Sequence, residues 1–201
     1  MRRLSLDEAV TALDAGEVVA VPTDTVYGLA ARLDRPGAIA AVFALKRRPE
    51  SVALPVLVAR PEDLGPLGVA LGPLGERLAG RYWPGALTLV VTAPEELAAR
   101  VHARSHTLGV RVPADPTVRA LLERTGPLAV TSANEHGEPP CTSAADVAAV
   151  FAGRDALAGV LDGGVRAAAV STVVDLTEGE VRVLRAGALG AEAILAALAA
   201  D

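Results

Sequence analysis

Residues 17–31, EVVAVPTDTVYGLAA, contain the change of pattern on which the fold prediction rests. The stretch begins as a strand of β-branched and small apolar residues, and Pro22 ends that strand. A loop rich in hydroxyl groups, from Thr23 to Thr25, then leads to Gly28. Hydroxyl and carboxylate groups at the end of a strand suit the polar groups of an amino acid, and a hydrogen-bonded turn beside a packed Tyr27 explains them equally well.

Helices are predicted on both sides of this stretch. Residues 5–8, SLDE, form a capping-box pattern, and the helix that begins there should end at Gly16. Pro36 begins a second helix that runs through residues 38–46, and Pro49 follows its end. The alanine-rich residues 191–200 predict a terminal helix that packs on the sheet.

Further apolar runs predict the remaining strands of a mixed sheet, with about seven strands among five or six helices. Residues 64–75 are rich in glycine and proline, and we expect a loop and a short helix there within the same domain. A single domain over residues 1–201 is expected from the chain length. The predicted strands after residue 31 are residues 53–59, 86–92, 108–113, 128–132, 171–176 and 181–187.

The bulk composition excludes several classes of protein. The chain has 201 residues, a net charge of −5 and a pI of about 5.3, which argues against stable binding to nucleic acid. No apolar run reaches the roughly 18 residues of a membrane span, and acidic residues near the N-terminus do not fit a secretory signal. A single cysteine, Cys141, allows no internal disulfide or zinc cluster and is expected to be a small packed residue. We therefore expect a soluble, cytoplasmic protein.

Two polar segments stand at the ends of predicted elements. Lys46, Arg47 and Arg48 follow a helix, where cations offset the helix dipole, and Lys46 with Arg48 could instead hold an anion such as a nucleotide phosphate. Ser132 and Asn134 follow the apolar residues 127–130, at the strand end where ligands of α/β sheets usually bind. An asparagine turn before a glycine is the alternative.

Other candidate groups carry weaker signals. Ser171 precedes one strand and Arg185 ends the next, with Gly187 allowing a close approach of the backbone. No Walker A pattern or dinucleotide fingerprint occurs, so an ATP site would have to combine scattered side chains. Residues 162–164, DGG, are expected to be a plain turn rather than an anion site. No role is assigned to the histidines, which are His102, His106 and His136.

Six segments in one order, over about residues 16–187, resemble the YrdC-like family of threonylcarbamoyladenylate synthases. The resemblance implies an α+β, three-layer fold in which helices cover both faces of a twisted parallel and antiparallel sheet with a central cleft. The chain is similar to the single-domain members of the family. The matching segments are PTDTVYGLA (22–30), LKRRP (45–49), YWPGALTLVV (82–91), LGVRVP (108–113), TSAN (131–134) and STVVD (171–175), followed by RAG (185–187).

The resemblance also implies an activity. The family forms threonylcarbamoyl-AMP and pyrophosphate from L-threonine, bicarbonate or CO2, and ATP, with Mg²⁺ accompanying the ATP. The product serves N6-threonylcarbamoyladenosine modification of tRNA by partner proteins. The threonine amine would capture CO2, and the new carboxylate would then attack the α-phosphorus of ATP.

Residue roles follow from the same resemblance. The Lys-x-Arg and Ser-x-Asn tetrad of the family is matched, and it distinguishes the synthases from a sister group that lacks the Ser-Ala-Asn element. Lys46 and Arg48 would be catalytic. Threonine would be bound by Thr25, Tyr27 and Ser171, and ATP by Lys46, Arg48, Thr88, Ser132, Asn134 and Arg185.

Two departures and two alternatives complete the sequence prediction. Val52 stands where many members carry a polar residue near the nucleotide, and Leu57 where some carry a histidine near threonine. One alternative is a non-catalytic module of the same fold that binds nucleotide or RNA. The other is an enzyme that forms a carbamoyl-adenylate for a different acceptor, which would need no threonine pocket.

Overall fold

A single mixed sheet of ten strands organises the computed structural model, which describes residues 1–47, 49, 53–101, 106–166 and 169–199. The strand order is β1-β8-β2-β3-β7-β4-β6-β5-β9-β10. The strands are β1 (Arg3–Leu4), β2 (Val18–Val21), β3 (Gly28–Arg32), β4 (Val56–Leu57), β5 (Leu87–Thr92), β6 (Thr107–Arg111), β7 (Leu128–Ser132), β8 (Leu157–Leu161), β9 (Thr172–Asp175) and β10 (Arg182–Arg185).

Parallel and antiparallel pairs both occur in this sheet. β2 pairs antiparallel with β3, and β3 with β7, whereas β4 pairs parallel with β6 and β5 with β9. The predicted mixed sheet is therefore confirmed, with more strands than the seven expected. The additional strands are the two-residue edge strand β1, the small-residue strand β3, which begins at Gly28, and β8, whose centre is Gly159. Glycine, alanine and very short runs carry little β propensity, so the sequence pattern does not reveal these strands.

Helices cover both faces of the sheet. Successive residues of a strand point to opposite faces, and in β2 Val18 and Ala20 belong to one apolar cluster whereas Val19 and Val21 belong to the other. The smaller cluster lies under α1 and α5, and the larger one under the other helices. The helices are α1 (Leu6–Asp14), α2 (Pro36–Lys46), α3 (Gly72–Tyr82), α4 (Glu95–Arg100), α5 (Pro116–Thr125), α6 (Ala144–Val150) and α7 (Ala191–Ala199), with a 3-10 helix at Pro61–Leu67.

The helix boundaries follow the predicted signals. Ser5 and Glu8 form the reciprocal capping box of α1, and Gly16 after its end has a φ of 84°. Pro36 occupies the first turn of α2, and Arg47 ends this helix in a left-handed conformation with a φ of 50°. No helix among the described residues has the length and apolar character needed to cross a bilayer. One sheet joins strands from Arg3 to Arg185, whereas the single-domain assignment of residues 1–201 stays a prediction.

Candidate active site

A cavity of about 150 Å³ lies where the 22–27 loop meets the central and distal strands of the sheet. Hydroxyl groups and two guanidinium groups provide its polar surface, and small apolar side chains provide the rest. Its lining combines the ends of strands that are far apart in the sequence. The lining residues are Thr23, Thr25, Val26, Tyr27, Gly28, Pro55, Leu57, Thr88, Arg111, Val130, Thr131, Ser132, Val170, Ser171 and Arg185.

The 22–27 loop is held by its own hydroxyl groups and by an arginine from β6. The Thr23 hydroxyl donates to the Val26 carbonyl at 2.6 Å and lies 2.9 Å from the Thr25 hydroxyl. Arg111 donates from Nη1 to Thr25 Oγ1 at 3.1 Å and from Nη2 to Asp24 Oδ1 at 2.7 Å. The loop is therefore a hydrogen-bonded turn that also faces the cavity, so the two interpretations of this segment are compatible.

Arg111 is a site residue that the sequence prediction missed. It is only 5% exposed, and its Nε donates to the Gly85 carbonyl at 2.8 Å. Burial lowers the pKa of this guanidinium, and the Asp24 carboxylate acts against that shift. The available signal was an arginine inside LGVRVP, because a charged residue within an apolar strand needs a buried partner.

Thr88, Ser171 and Arg185 form the other side of the cavity. The Thr88 and Ser171 hydroxyls lie 2.9 Å apart and are both buried. Arg185 is exposed at the mouth and donates from Nη2 to Ser171 O at 2.9 Å and to Ser171 Oγ at 3.1 Å. Desolvation of the guanidinium against this wall lowers the pKa of Arg185. Gly187 allows a close backbone approach, but to the chain itself, since an added Cβ would lie 2.2 Å from Val170 O.

Lys46 is the only lysine in the chain, and the residue is 1% exposed. It donates to Ser132 O at 2.6 Å, to Asn134 Oδ1 at 2.8 Å and to Asn134 O at 2.9 Å. Ser132 Oγ donates to the same Asn134 Oδ1 at 2.7 Å. Three members of the predicted tetrad therefore form one network at the end of β7, next to the cavity that Ser132 lines.

Tyr27 lines the cavity, but its hydroxyl is engaged elsewhere. The ring is fully buried, and the hydroxyl donates to Gly164 O at 2.9 Å and accepts from the Gly163 N–H at 3.0 Å. Burial raises the pKa of this phenol. The Gly164 N–H donates to Asp162 at 3.0 Å. Residues 162–164 are irregular, and the N–H groups of Gly163 and Gly164 bond within the protein itself.

The remaining candidates have the following positions. Leu57 lines the cavity, whereas Arg48 and Val52 lie outside the described residues, and so does His102. His106 and His136 are exposed and do not line the cavity. Cys141 is buried, and this burial raises the pKa of its thiol to about 11. Such a thiol is a poor nucleophile, in agreement with the predicted packing role.

No cluster of three metal-ligating side chains occurs within the described part of the chain. Asp24, the carboxylate beside the cavity wall, binds Arg111 and the Ala114 N–H. The Asp24 carboxylate is thus already engaged by donors of the protein.

Comparison with known proteins gives consistent matches over the site. The family model Sua5_yciO_yrdC, described as telomere recombination, matches residues 11–187. A threonylcarbamoyl-AMP synthase of Bacillus subtilis is 38% identical over 197 residues, and a putative threonylcarbamoyl-AMP synthase of Mycobacterium tuberculosis is 36% identical over 201 residues. The crystal structure of P. abyssi Sua5 complexed with L-threonine superposes with a TM-score of 0.89 at 36% identity.

The lengths of these proteins differ. The matches cover 95%, 100% and 98% of this chain, respectively. They cover 56% of the B. subtilis protein and 59% of the P. abyssi chain, but 92% of the M. tuberculosis protein. The chain thus spans little more than half the length of two of these relatives.

Proposed function

The chain belongs to the Sua5/YciO/YrdC family, and on this basis we propose that it is an L-threonylcarbamoyladenylate synthase. It acts as a nucleotidyltransferase on L-threonine, bicarbonate or CO2, and ATP. Its products are threonylcarbamoyl-AMP and pyrophosphate. The observation that carries the proposal is a single cavity in which two arginines lie together with hydroxyl side chains that include those of Thr25, Thr88, Ser132 and Ser171.

The two arginines suit two different anions. Arg111 lies in the cavity wall with its charge partly balanced by Asp24, so it suits the carboxylate of an amino acid. Arg185 lies at the mouth and suits a phosphate. Pockets for whole drug-sized ligands measure roughly 300–1,000 Å³. The cavity of about 150 Å³ therefore suits threonine, with the larger nucleotide extending outwards from the mouth.

Threonine would be oriented by Thr25, Tyr27 and Ser171. Thr25 and Ser171 both line the cavity and bring hydrogen-bonded hydroxyls to it, and the buried Tyr27 also contributes to the lining. Leu57 and Val130 provide apolar surface that suits a methyl group. Replacing the Thr25 or Ser171 hydroxyl should raise the KM for threonine more than the KM for ATP.

The reaction then proceeds in two steps. The threonine amine attacks CO2, so that a C–N bond forms and one C=O π bond opens. The amine loses a proton to water, and the product of this step is N-carboxythreonine. A carboxylate oxygen of this intermediate attacks the α-phosphorus of ATP, so that an O–P bond forms and the bond to the pyrophosphate oxygen breaks. Negative charge grows on the phosphoryl and leaving oxygens, and Lys46, Arg48 and Arg185 would offset that charge. Mg²⁺ bound to the ATP phosphates would add to this stabilisation.

The tetrad would hold the nucleotide through Ser132 and Asn134, beside Thr88. Lys46 binds the backbone and side chain of these residues, so its charge lies directly behind them. A direct bond from Lys46 to a phosphate would replace one of its bonds to Ser132 or Asn134. Loss of one such electrostatic contact commonly costs about 3 kcal/mol, or about a hundredfold in rate.

The cellular setting is part of the proposal. The product is an activated donor, so the partners would be proteins that transfer its threonylcarbamoyl group to adenosine in tRNA. The net charge of −5 does not support stable binding of nucleic acid by this chain itself. A cytoplasmic location is supported by a single cysteine, which is buried.

Pyrophosphate release from MgATP, with threonine and bicarbonate omitted in turn, tests the function. We expect release only when both small substrates are present, and about a hundredfold lower kcat/KM in Lys46→Ala. Arg124→Ala is the matched control, because it removes an exposed ion pair between α5 and Asp7 of α1. Release without threonine would favour the carbamoyl-adenylate enzyme. Nucleotide binding without release would favour the non-catalytic module.

A further inference from the structure

An ion-pair cluster lies behind the tetrad, outside the cavity lining. Arg154, in the connection between α6 and β8, donates from Nη1 to the Leu45 carbonyl at 2.7 Å and pairs through Nη2 with Glu135. The other Glu135 oxygen binds Arg47 Nη1 at 3.1 Å. We use the name Arg154 clamp for the pair of Arg154 and Glu135 together with the bond from Arg154 to the Leu45 carbonyl.

The clamp joins two segments that both supply tetrad residues. Leu45 is in the last turn of α2, directly before Lys46, and Glu135 directly follows Asn134. The last carbonyls of a helix have no partner within the helix, and an arginine is well suited to bind one of them. The His136 N–H donates to the Lys46 carbonyl at 2.7 Å, so the end of α2 is held at two successive carbonyls, by Arg154 at Leu45 and by this loop at Lys46.

The backbone conformation of Arg47 explains why the end of α2 needs support. Arg47 adopts a left-handed backbone conformation, which residues other than glycine rarely adopt unless their surroundings enforce it. Arg154 and Glu135 are partly buried, with side chains 24% and 26% exposed, and the Arg154 guanidinium lies 5.6 Å from the Phe151 ring centroid. The clamp is therefore better shielded from water than the exposed pairs of the surface.

We propose that Arg154 and Glu135 are positioning residues for the nucleotide side of the site. They fix the end of α2 against the loop after β7 and so set the position of the Lys46 ammonium under Ser132 and Asn134. This inference rests on the proposed function, because it assigns the tetrad to ATP. Neither clamp residue lines the cavity, so neither touches a substrate there.

The sole lysine provides a direct test. Selective labelling with ¹³C-lysine gives one side-chain signal, from Lys46, whose environment can be followed by NMR. Arg154→Gln and Glu135→Gln should shift this signal, and the control Arg124→Ala should leave it unchanged. In the pyrophosphate assay, both clamp variants should raise the KM for ATP about tenfold and keep the KM for threonine within about twofold. Arg154→Lys keeps the charge but loses the fork of two donors, so its KM for ATP should lie between those of the wild type and Arg154→Gln.

Three results would overturn the inference. An unchanged Lys46 signal in both clamp variants would show that the clamp does not position this residue. Equal increases in the KM values for ATP and threonine would indicate general structural damage. A wild-type protein that neither binds ATP nor releases pyrophosphate would remove the proposed function, and the inference with it. The first two failures appear only in the variants and the third in the wild type, so they are distinguishable.

Discussion

Arg111 binds the Asp24 carboxylate at 2.7 Å, with side chains only 6% and 17% exposed, so this pair belongs to the core as well as to the site. Arg111→Gln keeps much of the side-chain length but leaves the Asp24 charge without its partner. Breaking a buried pair on one side costs about 3–5 kcal/mol, and we expect the lower end because Asp24 keeps some contact with water. Urea unfolding measures this loss.

The double variant Asp24→Asn with Arg111→Gln separates the charge from the shape of the pair. Because it removes both charges, it should recover part of the stability lost in Arg111→Gln. A double variant as unstable as the sum of the single variants would show that the two residues do not act as a pair. Threonine binding should stay impaired in both variants, since neither contains the arginine.

Cys141 gives a second prediction at the residue scale. Its thiol pKa of about 11 leaves about one thiolate in a thousand molecules at pH 8. We therefore expect very slow alkylation of the native protein by iodoacetamide, and rapid alkylation after unfolding in urea. Cys141→Ala should keep pyrophosphate release. Fast native labelling, or loss of activity in this variant, would contradict the packing role.

At the scale of elements, the sequence predicted the helix starts and strands that depend on residues close together in the chain. The capping box at Ser5, Pro36 at the start of α2 and the β-branched runs act within a few residues, and the structure confirms them. β3 and β8 gave no signal, because their small residues gain stability from strands that are distant in the sequence.

The site shows the same division between local and distant information. Thr25, Thr88, Ser132, Ser171 and Arg185 were named from motifs, and the structure brings all five to one cavity. The sequence could not show that Lys46 binds the end of β7, or that Arg111 reaches Asp24. Both contacts join segments more than 80 residues apart, and only the sheet order brings those segments together.

Thr172 connects β9 to the segment that follows Arg185. Its hydroxyl donates to Leu189 O at 2.6 Å and accepts from the Gly187 and Leu189 N–H groups at 3.0 Å each. Thr172→Val keeps the shape but removes all three bonds, which should cost roughly 1–3 kcal/mol in unfolding free energy. The KM for ATP should also rise, because Arg185 directly precedes this segment.

Thr177, which follows the end of β9, provides a control for Thr172. Its hydroxyl donates to Asp175 Oδ1 at 2.7 Å, and among the hydrogen bonds of the described residues none joins it to the segment after Arg185. Thr177→Val should therefore leave the KM for ATP unchanged. A Thr172→Val protein with the stability and kinetics of the wild type would show that other contacts hold this segment.

The whole molecule combines a net charge of −5 with a cavity whose ionised groups include two arginines. Acidic residues lie mainly on the outside, in exposed pairs such as Asp7 with Arg124 and Glu96 with Arg100. Within the cavity itself, the ionised side chains of the lining are both positive, which suits the proposed anionic substrates. This arrangement favours binding of small anions in the cavity over binding of a polyanion across the surface.

Ligand binding to this cavity should therefore stabilise the entire fold. A ligand at one hundred times its Kd adds about 2.7 kcal/mol to the unfolding free energy, which for a chain of this size raises Tm by roughly 5–10 °C. We expect this shift with L-threonine and its loss in Ser171→Ala, measured by thermal unfolding. L-valine has the same shape with a methyl group in place of the hydroxyl, so it would lose the hydrogen bonds that the threonine hydroxyl makes in the cavity, and it should shift Tm much less at equal concentration. An equal shift with valine would mean that the cavity selects its ligand by shape alone and that Thr25 and Ser171 do not recognise the threonine hydroxyl.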